Sequence, residues 1–385
     1  MKEIILLGAT GSIGTQALEI LKLHKEYHLS SISVGYNIKK AKEIIRDFDL
    51  EYVSVIRKED AEELKREFPN LKVGYGEDGL VTAVKDYKGD VINAITGISG
   101  LVPTVAAIDS GKNVLLANKE SMVVAGDIIT RSAKEKNVKI IPIDSEHNAI
   151  YRLLNNEDKK SVKNIIITAS GGAFRDKKRS ELEDVKAVDA LNHPNWQMGR
   201  KITVDCATMV NKGLEVMEAH HLFGISYDNI KTIIHKESII HSMVEFSDNS
   251  VSALMYNPSM LSPISYAILG RIEECEVKEL SFEDIHSLSF EKMDYERYPM
   301  ISLAYKVGRL GGFYPTIYNA ANEGAVELFL DNKIKFLDIE KIISDAVNNY
   351  ANYLNKLDNH VFNIENILLL DKIVKEDVRK KYIGV

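Results

Sequence analysis

Apolar positions in the first 143 residues fall into short runs: "EIILLG", "SSISVG", "EYVSVI", "LKVGYG", "DVINAI", "NVLLA" and "VKIIPI". Helical patterns such as "IGTQALEILKLH" and "ESMVVAGDIITRSAKEK" lie between them. Strands alternating with helices predict a parallel sheet with helices on both faces. After residue 150 the rhythm changes. "VKNIIITAS" reads as a buried strand, and "IIHSMVEF" and "VSALMY" flank the turn-rich "SDNS" as an antiparallel hairpin. Further on, Ile339, Ile342, Ile343, Ala346, Val347 and Tyr350 mark one face of a helix that Asp338 can cap. The predicted class is α/β. A Rossmann-like, doubly wound parallel sheet (1–143) precedes an α+β domain (144–270), a weakly patterned linker (271–298) and a helical domain (299–385).

Composition narrows the function. A length of 385 residues calls for two or three domains. The net charge of −7 argues against nucleic acid as a partner, because neutralising phosphates needs a basic surface. Two cysteines, Cys206 and Cys275, make no disulfide framework and fit a reducing, cytoplasmic setting. No apolar run approaches the roughly 18 residues of a membrane span. The start, "MKEIILLGATGS", has too short an apolar core for a signal peptide.

Candidate chemistry begins at "LLGATGSIGTQALE", where Gly8, Gly11 and Gly14 sit between a strand and a helix. Glycines permit a tight turn and close approach to a pyrophosphate, which the helix start then binds; a purely structural turn is the alternative. The second strand ends in Gly35, Tyr36 and Asn37, without the carboxylate an NAD site places there. With Lys39 and Lys40 just beyond, this tilts the choice to NADP, unless the lysines only begin a solvated helix. Asn118, Lys119 and Glu120 close another strand, as ligand contacts or as a helix cap with an ion pair.

In "IIPIDSEHNAIY", Asp144 and Glu146 are two apart at an apparent strand end, so they point to one side and can converge on a hard cation. Alternatively, Asp144 or Ser145 only caps the following helix. Reading "CATMVNKGLEVMEAHHLF" as one helix puts Thr208, Asn211, Lys212 and Glu215 on one face. Before it, His193, Pro194, Gly199 and the only tryptophan, Trp196, suit a closing lid, or a Trp tucked under its own loop. Ser170, Gly171 and Gly172 follow a strand and can offer a hydroxyl and N–H groups to a phosphate, or form a plain turn.

Taken together, "GATGSIG", "ANKE", "DSEH", "SGGAF", "HPNWQMGRKITVD", "ATMVNKGLE" and "NAANEGAV" give a specific pattern. The chain resembles the 1-deoxy-D-xylulose 5-phosphate reductoisomerase family nearly end to end. That resemblance implies NADPH, one divalent cation (Mg²⁺, Mn²⁺ or Co²⁺), a phosphorylated sugar substrate and a homodimer. It implies Asp144, Glu146 and Glu215 as metal ligands, with Lys119, Ser145 and His193 on the substrate and Trp196 in the lid. Ser170, Asn211 and Lys212 would bind the phosphate. Thr10, Gly11, Ser12, Ile13, Gly35, Tyr36, Asn37, Asn118, Glu120 and Gly199 would line the cofactor. The chain departs from the family in three places. Cys206 stands where a serine is usual in the phosphate site, and a thiol is the weaker donor. Tyr36 replaces a small or basic residue, and "HKES" at 235–238 replaces His-Pro-Gln-Ser. In the strand that follows, His241 faces the site or is a satisfied sheet histidine. Two other readings are a semialdehyde dehydrogenase using Cys206 as nucleophile and a non-catalytic NADP-sensing protein.

Overall fold

The seven short apolar runs become seven parallel strands: β1 (Lys2–Leu7), β2 (Tyr27–Ser33), β3 (Tyr52–Val55), β4 (Lys72–Tyr75), β5 (Asp90–Asn93), β6 (Val114–Leu116) and β7 (Ile140–Pro142). The structure is a computed structural model that describes residues 1–155, 157–274 and 277–383. Cys275 and Glu276, in the expected linker, lie outside the described residues. The sheet order is β4-β3-β2-β1-β5-β6-β7. The order turns back at β1, which pairs with both β2 and β5, and such switch points are where nucleotides bind in open α/β sheets. The strands are short, and β1, β2, β3, β5 and β6 are heavily buried, as expected when helices cover a parallel sheet, whereas the edge strands β4 and β7 are more exposed.

Contacts divide the chain into two compact units. The first comprises Met1–Ser121, Asp127–Asn148 and Met260–Val277. Its core joins Ile4, Leu6, Leu18, Ile32 and Val53 to Ile264, Ala267, Ile268 and Leu269. Helix Leu261–Leu269 therefore packs on helix Ser12–Leu23, although it lies far along the chain.

The second unit comprises Met122–Gly126, Ala149–Ser259 and Lys278–Val385. Its sheet has the order β11-β10-β8-β9-β12, with β8 (Val162–Ala169), β9 (Ile230–Ile234), β10 (Ile240–Phe246), β11 (Val251–Met255) and β12 (Glu291–Lys292). The hairpin expected around "SDNS" is β10 paired antiparallel with β11. Helices Pro299–Leu310, Tyr314–Leu330, Phe336–Asn348 and Ile364–Ile383 make up the helical part. Residues 299–385 thus belong to the same compact unit as the second sheet.

Local expectations change in three places. Helix Ser145–Leu153 starts directly after Asp144, whose carbonyl accepts from Asn148 N at 2.8 Å. Asp144 and Glu146 therefore straddle a helix start and are not alternate residues of an extended strand. The helix expected from Cys206 onward is two helices, Arg200–Ala207 and Val210–Phe223. Met209 separates them at φ 62, so Thr208 is not on the turn run that carries Asn211, Lys212 and Glu215. Helix Phe336–Asn348 begins before Asp338, which accepts from Lys335 N at 2.9 Å from inside the first turn.

Candidate active site

The glycine turn is built by close backbone packing. Gly8 has φ +81, and a Cβ there would lie 2.6 Å from Ala94 O. A Cβ on Gly14 would lie 2.3 Å from Gly8 O and 2.7 Å from Ala9 Cα. Gly8 N donates to Ser33 O at 3.0 Å and Gly11 N to Gly8 O at 3.0 Å. The turn is thereby tied to β2, and Gly11 becomes the N-cap of helix Ser12–Leu23. Gly11 and Ser12 are exposed, Thr10 and Ile13 partly so, which leaves the helix start open to an anion. At the end of β2, Gly35 is half-buried, Tyr36 and Asn37 are exposed, and Asn37 caps the next helix by accepting from Lys40 N at 3.1 Å. These residues fit a phosphate-bearing dinucleotide: the cradle is one a Cβ would fill, and no carboxylate stands at the β2 end.

Beyond β6, Asn118–Glu120 form the helix cap with an ion pair. Asn118 caps helix Lys119–Lys136, accepting from Ser121 N at 3.1 Å. Its amide donates to Ile95 O at 2.8 Å, Gly97 O at 2.7 Å and Glu120 Oε2 at 3.2 Å. Lys119 is buried and forms an ion pair with Asp144. Next to it, Ser145 Oγ donates to Glu146 Oε2 at 2.5 Å. One side of this unit thus gathers Lys119, Asp144, Ser145 and Glu146. Buried Asn93 was not anticipated. It donates to Gly100 O at 2.9 Å and Thr104 Oγ1 at 2.8 Å, and it accepts from Ile95 N at 3.2 Å. It fixes the loop against which Asn118 packs, and its position at a strand end was the only hint in the sequence.

In the second unit, Ser170 and His193 meet. His193 Nδ1 accepts from Asn195 N at 3.2 Å and Trp196 N at 3.0 Å. An Nδ1 that accepts twice carries no proton, so the neutral ring holds its proton on Nε2 and donates it to Ser170 Oγ at 3.0 Å. Gly172 N also donates to that oxygen, at 3.3 Å. Ser170 keeps its own hydroxyl proton to give to an anion. Burial, with Arg175 nearby, lowers the His193 pKa to about 4, so the ring stays neutral at ordinary pH. Both loop glycines have positive φ, +88 at Gly171 and +73 at Gly172. A Cβ on Gly172 would lie 2.5 Å from Cys206 O, so the loop rests on helix Arg200–Ala207.

The surrounding loop is anchored by residues whose partners lie far along the chain. Asn195 Nδ2 donates to Lys236 O at 2.6 Å and Ser238 Oγ at 2.7 Å. Arg175 bridges Ser170 O at 3.3 Å and Lys236 O at 2.9 Å. Neither residue stood out in the sequence. "HKES" thus acquires a role, because Lys236 and Ser238 hold the His193–Trp196 segment. Trp196 is half-buried and meets His241 edge-on at 6.0 Å. His241 in turn stacks on Tyr256 at 3.6 Å, and its Nε2 pairs with Tyr256 O at 3.0 Å.

Helix Val210–Phe223 carries the other charged group. Asn211 Nδ2 donates to Glu215 Oε1 at 2.5 Å, and Lys212 pairs with Glu215 Oε2. All three are buried. Cys206, half-buried, lies in the preceding helix, whose N-cap is Gly199. That helix is fixed through buried Asp205, held at 2.8 Å by both Lys201 Nζ and Asn322 Nδ2. Asn322 belongs to "NAANEGAV" in helix Tyr314–Leu330, so the helical part of the unit positions the helix that carries Cys206.

A parallel sheet with a glycine turn at its switch point marks the dinucleotide-binding class of α/β proteins. Comparison with known proteins identifies which. A family model described as 1-deoxy-D-xylulose 5-phosphate reductoisomerase matches residues 4–126. Models of that enzyme's C-terminal domains match 140–223 and 255–377. The chain is 46% identical over 383 residues to 1-deoxy-D-xylulose 5-phosphate reductoisomerase of Listeria innocua, covering 98% of this chain and 99% of the relative. It is 49% identical over 354 residues to 1-deoxy-D-xylulose 5-phosphate reductoisomerase 2 of Bacillus cereus, with 91% and 93% covered. A crystal structure of DOX-P reductoisomerase in complex with NADPH, fosmidomycin and magnesium superposes with a TM-score of 0.93 at 34% identity, covering 99% of this chain and 98% of that one. The reductoisomerase of Zymomonas mobilis in complex with NADPH gives 0.90 at 34% identity over the full length of both chains. The chain belongs to the 1-deoxy-D-xylulose 5-phosphate reductoisomerase family.

Proposed function

We propose that this chain isomerises 1-deoxy-D-xylulose 5-phosphate and reduces the product with NADPH to 2-C-methyl-D-erythritol 4-phosphate, using one divalent cation. Membership of the family over nearly the whole chain carries the reading. When bound, the cation polarises substrate oxygens and the nicotinamide supplies hydride. The chain's own residues do the rest.

Asp144, Glu146 and Glu215 are the proposed cation ligands. Their oxygens are hard donors suited to Mg²⁺ or Mn²⁺. Asp144 and Glu215 are each neutralised by a lysine of their own unit, Lys119 and Lys212, as carboxylates that serve a cation can be. Ser170 and Lys212 are the proposed donors to the substrate phosphate, with Asn211 and Cys206 beside them. Neutral His193 keeps Ser170 turned outward, and Trp196 closes over the substrate and excludes water. Lys119 and Ser145 face the sugar. Thr10–Ile13, Gly35–Asn37, Asn118, Glu120 and Gly199 serve NADPH. On this reading 1–143 binds nucleotide, 144–270 carries the chemistry, 271–298 connects and 299–385 braces.

Among the described residues no helix is long and apolar enough to cross a membrane. A cytoplasmic setting is consistent with the two-cysteine composition. The homodimer fits the second sheet. Its edge strand β11 is exposed from Val251 to Ala253, with Val251 51% exposed, and an uncovered edge can pair with a second copy. Sedimentation equilibrium should return twice the chain mass of 43.2 kDa, and a monomer at micromolar concentration would remove this part.

The function is tested by following NADPH absorbance with 1-deoxy-D-xylulose 5-phosphate. Oxidation should require substrate and cease on addition of EDTA, returning with Mg²⁺. Oxidation that persists in EDTA would sink the metal-dependent reading.

A further inference from the structure

The ends of β2 and β3 carry a pair of residues, Tyr36, already given to the cofactor, and Arg57, to which no role has yet been given. The two strands are parallel neighbours, with Ser33 opposite Ser54. Tyr36 and Arg57 each lie three residues beyond those partners, so both leave the sheet at its carboxyl edge, where nucleotides bind. The Arg57 guanidinium lies 5.7 Å from the centre of the Tyr36 ring. Asp60 holds it in a two-point pair, accepting from Nε at 2.7 Å and from one terminal nitrogen at 2.8 Å. The Asp60 side chain is only 7% exposed, whereas that of Arg57 is 54% exposed. The fork is thus anchored on its inner edge, and its remaining N–H groups face outward.

We infer that Arg57, seated against Tyr36 and fixed by Asp60, reads the 2′-phosphate of NADPH and sets the preference over NADH. The inference rests on the family's use of NADPH and concerns only which side chain distinguishes it. A ribose hydroxyl would need an acceptor at the end of β2, and Gly35, Tyr36 and Asn37 supply no carboxylate there. A phosphate needs a cation, and Arg57 is a planar one with donors to spare. Other charges nearby are Lys39, Lys40, Lys58 and Glu59. Lys39 and Lys40 lie on the helix that Asn37 caps, so they add positive potential without being fixed in place. The Asp60 charge offsets part of the attraction, which limits the expected effect.

The test uses the whole protein and calorimetric binding of two ligands without nicotinamide, 2′-phospho-ADP-ribose and ADP-ribose. Arg57→Ala should weaken the 2′-phosphorylated ligand by about tenfold or more, as loss of one charge-assisted contact does. It should leave ADP-ribose within about twofold, which also shows that the fold is intact. Arg57→Lys should recover part of the loss. Equal loss for both ligands, or no loss for either, overturns the assignment. So does a loss found only in the Lys39→Ala, Lys40→Ala double variant. Failure of the unaltered protein to bind either ligand would instead sink the cofactor assignment itself.

Discussion

Glu215→Gln should reduce turnover on the order of a thousandfold while the protein stays folded. The side chain is fully buried, accepts from Asn211 and pairs with Lys212. Glutamine keeps the shape and can still accept from Asn211 through its carbonyl. It removes the negative charge, which acts in two ways. A proposed cation ligand is lost, and such an ion contributes several kcal/mol to stabilising charge in the transition state, about a thousandfold in rate. Lys212 also loses the charge of its Glu215 partner in a dry setting, which disturbs the placement of its ammonium as a phosphate donor. The two effects separate in a binding measurement. Mn²⁺ titration followed by its paramagnetic signal should show weakened affinity in the variant even without substrate. A variant that retains more than a tenth of the original turnover would falsify the role given to Glu215.

The second large effect is expected at Gly14. In Gly14→Ala the new methyl must displace backbone, since Gly8 O and Ala9 Cα stand at 2.3 and 2.7 Å from where it would sit. No flexible side chain can give way. The helix Ser12–Leu23 must move off the turn, opening the anion cradle formed by Gly11 and the first helical N–H groups. We expect NADPH affinity to fall on the order of a hundredfold, roughly 3 kcal/mol, with a lower melting temperature from the strained packing. Fluorescence titration with NADPH reads the first effect and thermal unfolding the second. Binding within about threefold of the original would mean that the turn does not hold the pyrophosphate.

The parallel sheet was legible because each strand is a short apolar run bordered by turn residues, and because helical patterns of adequate length separate the runs. The glycine turn was legible for the same reason: its spacing reports a steric need. What could not be read depends on distant partners or on backbone strain. Met209 takes a left-handed conformation, which residues other than glycine rarely adopt and which leaves no mark in residue type. The two helices on either side therefore looked like one. β9 and β12 escaped notice, the latter because a two-residue strand has no period. Asn93, Asn195 and Arg175 bond to backbone carbonyls several to tens of residues away, and hydrophobic patterning says nothing about them. At the site, residue types and the family pattern pointed to Ser170 and His193. The direction of the proton between them required the two backbone N–H groups aimed at Nδ1.

The helix Leu261–Leu269 has a consequence for how the molecule is made. Tyr27 Oη donates to Ile268 O at 3.0 Å, and Ile264, Ala267, Ile268 and Leu269 complete a core otherwise drawn from the first 143 residues. During synthesis the first compact unit therefore waits, with an apolar flank uncovered, until residue 269 has left the ribosome. A nascent chain stalled before residue 260 would present that flank to chaperones or to other unfinished copies.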